Sequence, residues 1–261
     1  MSRSRTGVLA LRLAGPLQSW GASSRFTRRT TESAPTKSGV VGLLAAASGI
    51  ERGDDARLAP LAALRFGVRI DQPGTRIRDF HTAHHAVTGA SMPLSERFYL
   101  ADAVFVAALE GDPALLTGLR DALRTPVYPP YLGRRSCPPS EPVDLGLHPE
   151  ARLEDVLASV PWQASAWHRR RRRTPQPLTV LRETGKDETA GAADILRDQP
   201  VSFDAAHRRH APRTVVTTSV PTPLPADSGA AHSAHDPFTA LEAVDALSAL
   251  DALAALEDES A

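Results

Sequence analysis

Apolar and polar positions change rhythm several times along the chain. Val8-Leu-Ala-Leu-Arg-Leu13 is a near-continuous apolar run of strand length, closed by Gly15 and Pro16, and predicts a buried first strand. Residues 17–36 are polar around Trp20, Phe26 and the arginines Arg25, Arg28 and Arg29, a loop too long to be a mere connection. Pro35-Thr36-Lys37-Ser38-Gly39 then opens a helix running to about Ser48, with Thr36 or Ser38 as cap and Gly49 as stop. Asp54 caps a second helical stretch to Leu64, interrupted by Pro60 in its second turn. Phe66–Ile70 and Tyr99–Leu109 have strand character, and the polar segment 71–98 between them reads as irregular. After Asp112-Pro113, the spacing of Leu115, Leu116, Leu119 and Leu123 predicts a helix to Arg124. Six prolines between Pro126 and Pro142 exclude a helix there, and a further strand is expected to follow.

The resulting order, β-α-β-β-α-β, is that of a sheet covered on one face by two helices, the ferredoxin-like arrangement that RNA-recognition modules also use. The expected class is α+β, with a ferredoxin-like (RRM-like) N-terminal domain over residues 1–146. Residues 147–220 read as a small β-rich C-terminal domain, with a helix over Leu153–Ser159 and strands over Leu178–Arg182, Pro200–Phe203 and Thr214–Val220. Residues 221–237 are rich in Pro, Ala, Ser and His and read as a linker. Residues 238–259 are helix-prone, but their apolar positions recur every third residue, so the row winds around the axis and forms no single stripe.

Composition narrows the possibilities. The chain has 261 residues and one cysteine, Cys137, which excludes a disulfide scaffold and cysteine-based metal clusters. No apolar stretch is long enough to span a membrane and no signal peptide is evident, so a cytoplasmic protein is expected. The net charge of zero hides an asymmetry. All 30 basic residues, 28 of them arginine, lie at or before Arg213, whereas eight of the 30 acids follow Val220. Residues 1–220 thus carry +8 and residues 221–261 carry −8. A basic, arginine-rich body suits a polyanionic partner, since guanidinium forks match phosphates and stack on bases.

Four segments carry candidate chemistry. Lys37 and Ser38 at a helix start, after a basic loop, form either a plain cap or an anion site; the upstream glycine of a P-loop is missing, its place being held by Thr31. Arg76-Ile-Arg78-Asp79-Phe80-His81-Thr82-Ala83-His84-His85 admits several readings: a metal site through His81 and His85, a histidine acid/base for RNA cleavage, a basic loop against a polyanion, or a merely solvated loop. Tyr128-Pro-Pro-Tyr131-Leu-Gly133-Arg134-Arg135-Ser136-Cys137-Pro138 joins a tight-turn glycine to two arginines and stacking rings, and no histidine partner is placed to make Cys137 a nucleophile. The five arginines 169–173 cannot all be paired internally and are either solvated or turned to a polyanion.

Leu11-Arg-Leu-Ala-Gly-Pro-Leu-Gln-Ser-Trp-Gly21, Pro35-Thr-Lys-Ser-Gly-Val-Val-Gly-Leu-Leu44, Arg78-Asp-Phe-His-Thr82 and Tyr131-Leu-Gly-Arg-Arg-Ser-Cys-Pro138, in this order, closely resemble the CasD subunits of the type I-E CRISPR surveillance complex, Cascade. Arg197-Asp-Gln-Pro200 resembles the last domain of that family, and the likeness covers about residues 7–220. It implies a palm, a thumb at about residues 73–98 and a small β domain. It implies a non-catalytic subunit that caps the complex by holding the 5′ handle of CRISPR RNA, beside the backbone-forming and large subunits. In the related type I-C system the equivalent subunit is itself the nuclease, so a metal-independent endoribonuclease that processes CRISPR precursor RNA, with His81 or a neighbour as acid/base, is the alternative. RNA contacts are expected from Gln18, Trp20, Arg25, Arg28, Lys37, Ser38, Arg76, Arg78, Phe80, His81, Tyr131, Gly133, Arg134, Arg135 and Ser136. No catalytic residue, metal, cofactor, membrane or small-molecule substrate is expected. The acidic tail, 221–261, has no recognised counterpart in the family; it is a solubilising extension, a shield for the basic surface before RNA loads, or a segment that docks on a neighbouring subunit.

Overall fold

The computed structural model describes residues 6–21, 28–172, 176–185 and 192–223. These lie in a unit spanning Met1–Leu224. Arg25, Phe26, Arg173 and the acidic tail from residue 224 onward lie outside the described residues.

The apolar run at the start becomes β1 (Gly7–Ala14), buried on both faces. Two short strands follow, β2 (Leu17–Gln18) and β3 (Arg28–Arg29). Helix α1 (Lys37–Ala47) is capped by Thr36, whose side chain accepts from the Gly39 N–H. Helix α2 (Asp55–Ala63) is capped by Asp54 and tolerates Pro60. Strand β4 (Arg65–Gln72) leads into a hairpin of β5 (Thr75–His81) and β6 (Ser95–Ala101), and β7 (Val104–Gly111) returns through the core. Helix α3 (Pro113–Arg124), strand β8 (Asp144–Pro149), and helices α4 (Leu153–Ser159) and α5 (Ala166–Arg171) come next. Strands β9 (Leu178–Glu183), β10 (Asp194–Ser202) and β11 (Arg209–Val220) complete the described chain.

The protein is α+β with two mainly antiparallel sheets. The first has seven strands in the order β10-β11-β9-β4-β7-β1-β8. Its strands β9 to β11, from the region read as a second domain, join the sheet of the first 146 residues through β9 on β4. Alternate residues of β1 and β7 serve opposite faces. Leu9, Leu11, Leu13, Phe105, Ala107 and Leu109 pack with α1, α2 and α3, and Val8, Ala10, Val106 and Ala108 pack with α4. In the second sheet β5 pairs with the whole of β6, while β2 and β3 meet the two ends of β6 on its other edge.

Two readings need correction. Residues 71–98 are not irregular throughout, because β5 and β6 form a regular ladder from Thr75↔Ala101 to His81↔Ser95. Strand β5 is exposed along nearly its whole length, so it keeps polar side chains on both faces and lacks the alternation by which a strand is recognised. Tyr99–Leu109 is likewise two strands. Asp102 adopts a positive φ of 56° at the break, and β6 belongs to one sheet and β7 to the other.

Candidate nucleic-acid interface

The hairpin sorts the expected contact residues onto two faces. Arg76, Arg78 and Phe80 alternate along one face of exposed β5, and across from them on β6 stand Leu100, Phe98 and Glu96. Arg76 lies over the Phe98 ring, its guanidinium carbon 4.7 Å from the centroid, and Arg78 lies 4.9 Å over Phe80. Arg28, its side chain 68% exposed, comes over Phe98 from β3 at 5.3 Å. Among the described residues Glu96 offsets these charges, 3.3 Å from Arg78 and 4.0 Å from Arg28. The other face carries His81, whose Nε2 is 3.0 Å from Asp79 and 3.4 Å from the Tyr99 hydroxyl.

The Gly133 loop meets the root of this hairpin. Leu132 N–H donates to the Cys137 carbonyl and Cys137 N–H to the Arg134 carbonyl, closing a tight turn. Ser19 N–H donates to the Leu132 carbonyl and ties the turn to the chain after β2. The turn aims Arg134 at Tyr99, 4.6 Å from the ring centroid, with Nη2 donating to the Arg29 carbonyl at 2.9 Å. Arg134 Nη1 is buried without a hydrogen-bond partner among the described residues. Arg135 and Ser136 are exposed and Tyr131 is half-buried. Cys137 is 1% exposed, and burial pushes its thiol above the usual range, which disfavours the thiolate form.

Two adjoining open cavities share the Gly133 loop. One, of about 960 Å³, lies against α1 and is lined by Ser38, Tyr131, Arg135, Arg208 and His210. The other, of about 1370 Å³, is lined by Arg29, Arg134, Arg197, Arg208 and Arg209. The basic residues in and between β10 and β11 that line this cavity were not among the expected residues, although His207-Arg208-Arg209-His210 is a visible positive cluster in the sequence. The 203–208 turn between these strands brings them to the loop.

Four expected contacts have other tasks here. Gln18 and Trp20 are fully buried. The Gln18 amide donates to the carbonyls of Leu13 and Ala103 and accepts from the Trp20 indole N–H at 3.0 Å. Trp20 is packed under the loop and α1, so it supports the site and offers no free plane to a base. Lys37 is 3% exposed, with Nζ 3.0 Å from Glu183. Its backbone N–H donates to Asp198 at 2.8 Å, and Asp198 and Glu183 both pair with Arg213. The start of α1 does hold an anion, but the anion is the protein's own Asp198 carboxylate. Burial lowers the Lys37 ammonium pKa against the opposing pull of Glu183. Ser38 is 8% exposed, with its hydroxyl on Thr36. Among the described residues no group of three His, Cys, Asp or Glu could hold a metal, and no helix is long and apolar enough to cross a membrane.

A ladder of cations over aromatic rings, beside an arginine-lined groove, is suited to phosphates and splayed bases. Residues 8–216 match the model of a family described as CRISPR-associated protein (Cas_Cas5). The chain belongs to that family. It is 38% identical over 156 residues to the CRISPR system Cascade subunit CasD of Escherichia coli (strain K12), covering 53% of this chain and 70% of that one. A solved chain described as a Cas protein matches with a TM-score of 0.63 at 38% identity, covering 82% of this chain and 95% of its own length. A chain from a CRISPR RNA-guided surveillance complex matches with a TM-score of 0.63 at 34% identity, covering 82% and 91%. These relatives uphold the CasD-type resemblance that the four sequence motifs carry.

Proposed function

We propose that this chain is a non-catalytic subunit of a type I-E Cascade complex that holds the 5′ handle of CRISPR RNA and caps one end of the particle. The observation that carries the reading is the stack of Arg28, Arg76 and Arg78 on Phe98 and Phe80, exposed on one face of the β5–β6 hairpin. Each guanidinium carbon lies 4.7–5.3 Å from a ring centroid, and its N–H donors can still reach a phosphate oxygen. The groove at Arg134, Arg135 and Arg208 would take the following nucleotides. The β5–β6 hairpin plays the thumb. The palm is ferredoxin-like: β1, α1, β4, β7, α3 and β8 follow the β-α-β-β-α-β order, with neighbours β4-β7-β1-β8. The backbone-forming and large subunits and the RNA are the partners, and the cytoplasm the compartment.

The test is retention of end-labelled CRISPR RNA by a reconstituted complex carrying Arg76→Ala and Arg78→Ala. Faster loss of RNA, more so at higher salt, supports the reading, and unchanged retention of the 5′ end overturns it. The contact of His81 with Asp79 and Tyr99 favours one rival, an endoribonuclease. Specific cutting of labelled repeat RNA by the purified chain, lost in His81→Ala, would establish that rival instead.

A further inference from the structure

Helix α5 is seated on a different apolar cluster from the Gly133 loop. Leu132 and Cys137 belong to the core under α1, whereas the chain leading into α5 packs through Trp162 and Ala164 on Leu178. The Ser165 N–H and hydroxyl donate to the Gln72 side chain, anchoring the helix start to the end of β4. Arg12 is close enough to Arg169 for that charge, after burial, to lower its pKa, and Arg12 itself pairs with Glu141.

The helix has an unusual exposed face. Trp167, Arg170 and Arg171 fall one turn apart and share a side. Trp167 is 48% exposed. The His168 ring meets Trp162 edge-on at 6.1 Å and Trp167 at 5.5 Å, so the exposed indole is braced from below. Among the described residues no carboxylate pairs with Arg169, Arg170, Arg171 or Arg172. A braced aromatic plane beside unneutralised guanidinium groups is the composition of a single-strand stacking platform. An acidic protein surface would need the charges but not the plane.

We propose that α5 is a second nucleic-acid contact, separate from the RNA-holding hairpin, in which Trp167 stacks on a base of a single strand and Arg170 and Arg171 hold its phosphates. The site extends the function proposed above to a second strand or a distant part of the same one, and it does not depend on that reading.

The test uses the full chain and a 15-nucleotide oligothymidylate. Trp20 is fully buried and Trp162 only 8% exposed, so tryptophan quenching reports on Trp167. Quenching is expected with the parent chain and absent in Trp167→Phe. By anisotropy of a labelled oligonucleotide, Trp167→Ala should weaken binding about fivefold or more. Arg170→Ala with Arg171→Ala should lower the slope of log K against log salt by about 1.4, two phosphates at roughly 0.7 each. Arg76→Ala with Arg78→Ala should leave the quench intact. The proposal is overturned if that hairpin variant abolishes the quench, if the α5 arginine pair leaves the salt slope unchanged, or if polyglutamate quenches Trp167 as strongly as the oligonucleotide.

Discussion

A β-carbon added to Gly133 would lie 1.8 Å from the carbonyl oxygen of Ser19. Gly133 also has a φ of +84°, which a side chain would strain. Both restrictions fall on the turn that aims Arg134 and Arg135. Gly133→Ala should therefore break the tie between Ser19 and Leu132 and lower the thermal midpoint. The conformational term alone costs about 1–2 kcal/mol, with the backbone clash added. Circular dichroism melting checks the stability, and faster proteolysis within residues 131–137 checks that the damage is local. A midpoint equal to the parent's would refute the argument.

Arg69 and Asp71 form an ion pair with both side chains 0% exposed. Arg69 also donates to the carbonyls of Leu157, Val160 and Pro161, and Asp71 accepts from the Gln163 N–H. The pair bolts the chain after α4 onto the sheet. Asp71→Ala strands a buried guanidinium and should cost about 3–5 kcal/mol in urea unfolding. Arg69→Met with Asp71→Leu should lose less than the sum of the two single variants, because neither charge is then left unpaired.

Acid should expose two further pairs. Burial raises the Asp144 and Glu154 carboxyls, but hydrogen bonds from Arg120 and Arg124 to Asp144, and from Arg65 to Glu154, outweigh it and hold both below their ordinary values of 3.8 and 4.5. A carboxylate with a depressed folded pKa stabilises the fold above its ordinary value and loses that contribution as pH falls below it. Stability should thus decline from about pH 4.5 downward. In Glu154→Gln the decline should be shallower and the stability near neutrality lower, as read from urea midpoints across pH 3–7.

The same contrast between local pattern and distant partner explains how much was legible in advance. Strand β1, helix α1 with its Thr36 cap, and helix α3 after Asp112 are set by signals within a dozen residues. The expected anion site at Lys37 rested on local geometry too, and the helix start does hold an anion. Its occupant, Asp198, stands 161 positions away, and no local signal could name it. Trp20 has a base-stacking composition, yet its role is set by Gln18, Gly39 and Gly133 closing around it. Arg208 and Arg209 were legible as charge but not as neighbours of Gly133, because only the pairing of β10 with β11 brings them there.

Lys37 and Arg135 should consequently behave in opposite ways, although both are cations near one cavity. Lys37 is buried and committed to Glu183. Lys37→Ala leaves Glu183 and Asp198 with Arg213 as their remaining cation, so it should destabilise the fold by a few kcal/mol. It removes no exposed charge, and the salt slope of RNA binding by the folded variant should stay unchanged. Arg135 is exposed on the rim, so Arg135→Ala should leave the folding stability within about 0.5 kcal/mol of the parent. It should flatten the salt slope by about 0.7 for one lost single-strand phosphate contact. Melting curves and RNA titrations on the two variants give a two-by-two comparison. If Lys37→Ala flattens the slope while Arg135→Ala does not, the exposed loop is not the contact surface, and the internal carboxylates must yield Lys37 to the RNA when it binds.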